Sequence, residues 1–220
     1  MARNNLNETA ETYEKQADDW FDQDYHANHW TPFRDRLRLL AGMGWILEIG
    51  FGSAPDALYL LKLFGRYLGI DLSKRLVNRS KRKFPSLDLR HMDMFDLHKR
   101  FERGLFRAFW CAAVLLHIPS ALIDEALANL NFVSEMGACG FISVKRGNRE
   151  ELVVEGSKNG EYRRHFTFWE LDEFTKVLER NGFEMLPGSR DDYEDPSGNG
   201  VIWLVVYVRK VAETTFQFKD

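Results

Sequence analysis

The chain has 220 residues, of which 45% are hydrophobic and 29% are charged, and its formal net charge is -3 at pH 7. This composition predicts one medium-sized globular domain with a sizeable core, and it excludes a disordered chain. The slight negative charge argues against a dominant role in nucleic-acid binding.

The cysteines and the apolar stretches indicate the cellular compartment. Cys111 and Cys139 both lie in apolar stretches, so we interpret them as core residues of a reduced protein rather than as a disulfide or a metal site. The segment Met1–Asp19 is polar and acidic, unlike a signal peptide. The longest apolar stretch, Ala108–Ile118, is far shorter than the roughly 20 residues that span a bilayer. We expect a cytoplasmic protein with no membrane span, and the oligomeric state stays open.

Residues 1–44 predict a helical cap. One helix is expected from Asn7 to about Phe21 and a second from Pro32 to about Leu40. The segment between them is rich in aromatic and histidine side chains, namely Trp20, Phe21, Tyr25, His26, His29 and Trp30. It is either a cap packed on the sheet edge or a lid that closes over a site and excludes water.

Residues 45–55 predict a buried strand, a glycine turn and the start of a helix. Trp45–Ile49 is almost entirely apolar, as expected of a strand covered on both faces. Gly50 and Gly52 permit a tight turn and a close approach of the backbone to a ligand, and Pro55 suits the first turn of a helix. The free N–H groups at that helix start favour a polar or anionic ligand group. A purely structural strand–helix corner is the alternative.

Two further predicted strands end in acidic residues. Arg66–Asp71 places a carboxylate about 20 residues beyond the glycine turn, where a nucleotide-binding fold has an acceptor for ribose hydroxyls. Leu87–Asp93 alternates as a third strand, and its final acid fits an adenine contact. The structural alternatives are a helix cap for Asp71 and a turn for Asp93.

Strands and helices continue to alternate along the chain. Helices are expected at Pro55–Phe64, Ser73–Lys83, Ser120–Ser134 and Phe168–Asn181, and strands at Phe106–Ala113, Phe141–Lys145, Phe183–Leu186 and Val201–Arg209. The alternation predicts an α/β fold with a doubly wound parallel sheet and ligands at the C-terminal strand ends. Because the turn-rich loop Asp191–Gly200 joins the last two strands, the final strand must run antiparallel or leave the sheet.

Two segments stand out from this pattern. The helix Ser73–Lys83 is strongly basic, which we interpret as a solvated face, with an RNA-binding patch as the alternative. Residues 146–168 are interpreted as an insertion after strand five, with a hairpin at the mouth of the site as one arrangement.

The chain from about Glu8 to Arg209 resembles the small class I S-adenosylmethionine-dependent methyltransferases. The resemblance is carried by Leu47–Ala54, which is similar to the acid-x-Gly-x-Gly-x-Gly motif, and by Leu68–Ser73, Met92–Met94, Trp110–Pro119 and Phe166–Phe183. Ala54 stands at the third glycine position, where a small residue is expected to cost little. The resemblance implies a Rossmann-like seven-stranded sheet, ordered 3-2-1-4-5-7-6 with strand 7 antiparallel and helices on both faces, in a single domain over residues 1–220.

The resemblance also implies a reaction and a set of site residues. The cofactor would be S-adenosyl-L-methionine, and its methyl group would pass directly to a small-molecule acceptor without a metal. The residues implied to bind the cofactor are Tyr13, Glu48, Gly50, Phe51, Gly52, Asp71, Leu72, Asp93, Met94, Cys111 and Ala112. Within this set, Glu48 would anchor the methionine end, Tyr13 would close over it, and Asp71 would bind the ribose.

His117 is the best candidate for a general base. It follows strand four near the expected methyl group, and an ordinary histidine titrates near neutral pH. The alternative is a histidine that caps a helix or contacts the lid. His26, His29 and His165 are weaker candidates.

Other functions stay open. One is a non-catalytic protein with a methyltransferase-like fold that acts in binding or as a scaffold. A nicotinamide-dependent oxidoreductase is disfavoured because Pro55 stands where the dinucleotide-binding motif G-x-G-x-x-G has its third glycine, and because a C-terminal hairpin is unexpected in that class. An RNA or protein acceptor is a variant of the main interpretation.

Overall fold

A mixed sheet of eight strands forms the centre of the molecule. The computed structural model describes residues 2–22, 30–157 and 160–218. The described residues form ten strands in two sheets: β1 (Gly44–Ile49), β2 (Gly65–Asp71), β3 (Leu89–His91), β4 (Phe106–Ala112), β5 (Ser134–Lys145), β6 (Glu150–Ser157), β7 (Gly160–Thr167), β8 (Phe183–Met185), β9 (Arg190–Glu194) and β10 (Ile202–Lys210). The sheet is ordered β3-β2-β1-β4-β5-β10-β8, with β9 paired to β10, while β6 and β7 form a separate antiparallel hairpin.

Strands β1 to β5 pair in parallel, and β10 runs antiparallel to both β5 and β8. The predicted α/β fold and the order 3-2-1-4-5-7-6 are therefore confirmed. The prediction of a loop over Asp191–Gly200 is wrong in its first part, because β9 pairs Tyr193 with Trp203 of β10. The polar composition of β9 concealed this strand at the sheet edge.

Eight α-helices pack around the sheet in the described residues: α1 (Ala2–Lys15), α2 (Ala17–Asp22), α3 (Thr31–Ala41), α4 (Ala57–Phe64), α5 (Lys74–Lys83), α6 (Leu97–Arg100), α7 (Ile123–Val133) and α8 (Leu171–Arg180). The predicted first helix is thus two helices. Gly140 lies inside β5. A Cβ there would sit 2.0 Å from the Phe109 ring, so the glycine makes room for an aromatic side chain of β4.

Strand β4 lies at the centre of the core. Five of its residues, Phe106, Ala108, Phe109, Trp110 and Cys111, are fully buried. The Trp110 ring stacks on Phe141 of β5 with centroids 4.1 Å apart. Burial on both faces explains why the segment Ala108–Cys111 is a continuous apolar run. Within the described ranges, no helix has the length and apolar character needed to cross a bilayer.

Candidate active site

A cavity of about 260 Å³ lies at the C-terminal ends of β1, β2 and β4. Its walls include the predicted site residues Tyr13, Glu48, Gly50, Phe51, Gly52, Asp71, Leu72, Asp93, Met94, Ala112 and His117. The last predicted site residue, Cys111, is fully buried and does not line the cavity. Burial raises the pKa of its thiol to about 12, so it is a core residue with an unreactive sulfur.

The glycine turn brings the backbone to the cavity. Gly50 and Gly52 have φ values of +69° and +56°, in the left-handed region that favours glycine. A Cβ on Gly50 would lie 2.4 Å from Cγ2 of Val114, so this position tolerates no side chain. A Cβ on Gly52 would meet no atom within 4 Å, so that part of the backbone faces open space.

Asp71 connects this turn to the next helix. Its Oδ2 accepts a hydrogen bond from the Gly52 N–H at 2.9 Å, and its Oδ1 accepts one from the Ser73 N–H at 2.8 Å. Burial raises the pKa of the carboxyl, and these two hydrogen bonds oppose the rise. Each oxygen of the carboxylate can still accept a second hydrogen bond from a ligand.

Asp93 and Met94 line the cavity beside the end of β3. Asp93 also accepts a hydrogen bond from the Phe95 N–H at 3.0 Å and caps the short 3₁₀ turn Met94–Asp96. The predicted turn role and the predicted position at the site are therefore compatible.

A buried group of charged side chains lies beneath the glycine turn. Glu48 is 3% exposed and accepts a hydrogen bond from the Tyr67 hydroxyl. Burial, reinforced by the neighbouring Asp56, raises the pKa of Glu48 to about 8. Asp56 pairs with Arg34 at 2.7 Å, and burial raises its pKa to about 6 although Arg34 opposes the rise.

Sequence reasoning missed Arg34, Asp56 and Tyr67. Asp56 follows Pro55 at the helix start, where an acid is expected as a simple cap. In the structure its oxygens face Arg34 and the Trp110 indole N–H, at 2.7 Å and 3.3 Å. No local pattern in the sequence marks this partnership, because Arg34 lies on a different helix.

His117 and Tyr13 form a hydrogen-bonded pair over the cavity. His117 Nδ1 lies 2.8 Å from the His165 carbonyl oxygen, which can only accept, so Nδ1 carries the proton. Nε2 therefore accepts from the Tyr13 hydroxyl, at 2.8 Å. Burial lowers the pKa of His117 to about 3. The expectation of a histidine titrating near neutral pH is wrong, because the imidazole is desolvated and both of its nitrogens have partners.

The other histidine candidates differ in position. His165 is 1% exposed and does not line the cavity; its Nε2 lies 3.1 Å from Thr167 Oγ1 and 3.2 Å from Glu150 Oε1. His26 and His29 lie outside the described residues, as does Tyr25 of the aromatic segment.

Helix α1 lines one side of the cavity and pairs with the edge of β7. Thr12 Oγ1 accepts from the Arg163 N–H at 3.1 Å and donates to the Arg163 carbonyl at 2.8 Å. Thr9 Oγ1 accepts from the His165 N–H at 2.8 Å. These threonines satisfy backbone groups of β7 that would otherwise need a neighbouring strand.

The other end of α1 is attached to α5. Glu14 Oε2 accepts from the Ser73 hydroxyl at 2.7 Å and from the Arg75 N–H at 3.0 Å. The helix therefore spans from the hairpin to the start of α5, with the cavity beneath it.

Among the described residues, no group of three or more His, Cys, Asp or Glu side chains is arranged to hold a metal ion.

Comparisons with known proteins agree with this geometry. Residues 46–137 match a family model described as "Methyltransferase domain". A comparison with curated proteins gives no match.

Solved structures share the fold at low sequence identity. The 1,6-didemethyltoxoflavin-N1-methyltransferase of Burkholderia thailandensis is 16% identical, with a TM-score of 0.76 over 96% of this chain and 91% of that one. DhpI, in complex with SAH, is 18% identical, with a TM-score of 0.73 over 96% of this chain and 99% of that one. The 4+2 cyclase SpnF is 16% identical, with a TM-score of 0.60 over 82% of this chain and 80% of that one.

The matched segment contains most of β1, all of β2 to β4, the glycine turn and most of the lining of the cavity. Residues 46–137 are thus similar to a methyltransferase domain, and the chain shares a Rossmann-like fold with methyltransferases of known structure.

Proposed function

We propose that this protein is an S-adenosyl-L-methionine-dependent methyltransferase acting on a small molecule. The observation that carries the proposal is the glycine turn, which opens its backbone at Gly52 into a cavity that Glu48 and Asp71 also line. Structures of two proteins of the same fold contain S-adenosylhomocysteine (SAH), the demethylated form of S-adenosyl-L-methionine, which supports the same cofactor here.

The residues of the cavity fit this cofactor chemically. Its amino group and ribose hydroxyls donate hydrogen bonds, and its sulfonium is positive. An ionised carboxylate accepts hydrogen bonds and donates none, and it attracts positive charge. Asp71 and Asp93 supply such groups beside the ends of β2 and β3, and Glu48 adds a buried carboxyl at the end of β1. When bound, S-adenosyl-L-methionine supplies a methyl carbon that bonds to the acceptor's lone pair as its bond to sulfur breaks, leaving a neutral thioether.

We assign each residue a part in holding the cofactor. Glu48 anchors the methionine end, Asp71 accepts from the ribose, and Asp93 with Met94 contacts the adenine. Gly50, Phe51 and Gly52 supply backbone, while Leu72 and Ala112 contribute the apolar wall. Positioning of the reactants and exclusion of water are the main contributions of a protein to such a transfer.

We propose that His117 is a positioning residue and not a general base. Its neutral imidazole accepts a hydrogen bond from the Tyr13 hydroxyl and donates one to the His165 carbonyl of the hairpin. It therefore holds α1, the hairpin and the segment after β4 together. A base with a pKa of about 3 would remove a proton only weakly at neutral pH. We accordingly expect Tyr13 to close over the methionine end, held in place by His117.

A small-molecule acceptor fits better than RNA. Helix α1 lies over part of the cavity, held to the hairpin by Thr12 and to α5 by Glu14, so the space above the strand ends is narrowed. Part of the basic surface of α5 is also neutralised, since Asp18 pairs with Arg75 at 2.6 Å and with Arg79. We also propose a cytoplasmic location, because the two cysteines are buried and unpaired, as in a reducing compartment.

Calorimetric titration with S-adenosyl-L-methionine and S-adenosylhomocysteine tests the proposal. We expect micromolar binding to the wild type and at least about tenfold weaker binding to Asp71→Ala, since a charged hydrogen-bond acceptor is lost. The control is Asp88→Ala, an exposed acid paired with Arg90 at 2.7 Å, which should bind as the wild type does. A folded wild type that binds neither compound contradicts the proposal.

Transfer itself is measured with methyl-labelled cofactor and a small-molecule extract. The 4+2 cyclase SpnF shares the fold, so binding alone does not establish methylation. Tight cofactor binding with no label transferred to any fraction would favour the non-catalytic alternative.

A further inference from the structure

Tryptophan side chains are concentrated at the cavity. The chain has six tryptophans, and four of them line it: Trp20, Trp30, Trp110 and Trp203. They belong to α2, to the residue before α3, to β4 and to β10, so the fold and not the local sequence brings them together.

Trp203 lies on the side of the cavity away from the cofactor. The sheet residues assigned to the cofactor lie at the ends of β1 to β4, whereas Trp203 belongs to β10. Strand β5 lies between β4 and β10. Because neighbouring strands are about 4.8 Å apart, β10 lies roughly 10 Å beyond β4. The cavity therefore extends past the strands assigned to the cofactor.

Trp30 and Trp203 form an aromatic corner at this wall. Their ring centroids are 5.3 Å apart, and their planes meet at 88°. The two side chains are 4% and 7% exposed, so the surrounding core holds both rings in place. The Trp203 indole N–H donates to Asp195 Oδ2 at 2.9 Å, so this side chain presents ring surface to the cavity.

The segment after β4 lies between the aromatic corner and the glycine turn, because β4 lies between β1 and β5 in the sheet. Val114 and Ile118 of this segment both line the cavity. Val114 also packs closely on the turn, since its Cγ2 would lie 2.4 Å from a Cβ on Gly50. These apolar side chains mark the boundary between the cofactor side and the side of the aromatic corner.

We propose that the methyl acceptor carries a flat aromatic ring, which packs against the aromatic corner of Trp30 and Trp203. This inference rests on the proposed function and names the substrate class of the same site. A flat ring can stack on one ring of the corner and meet the other edge to face, and both arrangements are favourable. A ring held in this way has few orientations, so its nucleophilic atom is presented to the methyl group in a defined geometry.

The test uses two probes with the same bicyclic skeleton and the same hydroxyl group, 2-naphthol and decahydro-2-naphthol. Only the first is flat and aromatic. Each is titrated calorimetrically into the protein saturated with S-adenosylhomocysteine. We expect 2-naphthol to bind at least about fivefold more tightly, because contacts between aromatic rings add affinity beyond the burial of apolar area. Equal or tighter binding of decahydro-2-naphthol, or no binding of 2-naphthol, would overturn the proposal.

Variants locate the bound ring. Trp203→Leu and Trp30→Leu should each reduce the preference for 2-naphthol by at least about threefold. Trp203→Phe loses the hydrogen bond to Asp195 but keeps a ring, so it should retain most of the preference. A change in the shape of the cavity alone would affect both probes and leave their ratio as it was.

Trp45→Leu is the matched control. It removes a half-buried tryptophan near the start of β1, at the end of the strand away from the cavity, and should keep the wild-type preference. An unchanged preference in both variants of the aromatic corner would also overturn the proposal. The comparison of the two probes in the wild type needs no variant, so it tests the proposal even where a leucine variant fails to fold.

S-adenosylhomocysteine titrations separate this proposal from the function it rests on. Variants that keep wild-type affinity for S-adenosylhomocysteine are folded and have an intact cofactor side. If the wild type fails to bind S-adenosylhomocysteine, the proposed function fails. The two probes are then titrated into the protein alone, with the same outcomes for the aromatic corner.

Discussion

Glu48 holds a proton that an exposed glutamate would lose. Its pKa is about 8 in the folded protein against an ordinary value of 4.5, chiefly because of burial and then because of Asp56. Between these two pH values the folded protein binds more protons at this site than the unfolded chain does. The free energy of unfolding therefore contains a contribution that is complete below about pH 4.5 and is lost as the pH rises to about 8.

Glu48→Gln should remove this contribution, since glutamine does not titrate. We expect the free energy of unfolding of the variant to fall less steeply than that of the wild type between about pH 5 and 8. Urea denaturation at several pH values measures the slope. Exposed Glu179→Gln is the control and should keep the wild-type slope, and an unchanged slope in Glu48→Gln would show that the Glu48 proton does not contribute.

Part of the site could be predicted from the sequence because strand ends meet at one edge of a parallel sheet. Gly52 and Asp71 are an example: the turn and the strand-end acid were predicted separately, and a 2.9 Å hydrogen bond joins them. Burial by distant segments could not be predicted in this way. Burial lowers the pKa of His117, whose two hydrogen-bond partners, the Tyr13 hydroxyl and the His165 carbonyl, are distant from it in sequence.

The conformational cost of Ala54 also could not be predicted from the sequence. A small side chain was expected to replace the third glycine at little cost. The residue has a φ of +61°, in the left-handed region, where alanine costs about 1–2 kcal/mol. The motif gives the residue type, but the backbone angle decides the cost.

At the level of elements, α1 takes the place of a neighbouring strand for β7. Thr12 pairs with both backbone groups of Arg163, at 2.8 Å and 3.1 Å, and Thr9 with the N–H of His165. A helix can satisfy these groups only through side chains, so the attachment depends on a few hydroxyls. This helix should therefore detach before the sheet opens.

Thr12→Val keeps the shape of the side chain and removes its hydroxyl. Two hydrogen bonds are lost, which costs about 1–3 kcal/mol if Arg163 is left unpaired. We expect faster amide hydrogen exchange across α1 and at Arg163 and His165, with unchanged exchange in β4.

Thr175→Val is the matched control for this loss. The Thr175 hydroxyl bonds to the Leu171 carbonyl within α8, so its removal should leave exchange in α1 as it is in the wild type. Exchange in α1 that is equally slow in Thr12→Val would mean that the threonines do not hold the helix.

The sequence predicted elements best where apolar periodicity was strong. Strand β10 is an example, expected at Val201–Arg209 and found at Ile202–Lys210. Strand β9 was missed because its residues Arg190–Glu194 are polar and pair only with β10. No residue of β9 is buried, and edge strands often carry charged side chains that block pairing with other chains, so they show little apolar signal.

At the level of the whole molecule, the ion pair of Arg34 and Asp56 joins the N-terminal cap to the sheet domain. Arg34 belongs to α3, and Asp56 precedes α4; their side chains are 1% and 4% exposed. Helix α3 also buries Phe33 and Leu37 in the core. These contacts favour one cooperative domain over a cap that detaches.

Asp56→Asn should be severely destabilising, because it removes the carboxylate that pairs with the buried Arg34 guanidinium. The expected loss is about 3–5 kcal/mol in the free energy of unfolding. Chemical denaturation followed by both tryptophan fluorescence and circular dichroism measures it. One shared transition is expected, and an early separate transition of the cap would contradict the single-domain view.

A double replacement separates the charge from the packing. Buried ion pairs often give way to apolar residues of similar volume without loss, because desolvation offsets their attraction. Arg34→Met combined with Asp56→Leu should therefore recover most of the stability lost in Asp56→Asn. Failure to recover would mean that the contacts of Arg34 with Thr31 and with the Tyr59 ring, 4.3 Å away, stabilise the cap more than its charge does. Recovery would show that apolar contacts hold the cap on the sheet, and that the ion pair mainly sets the position of α3 relative to α4.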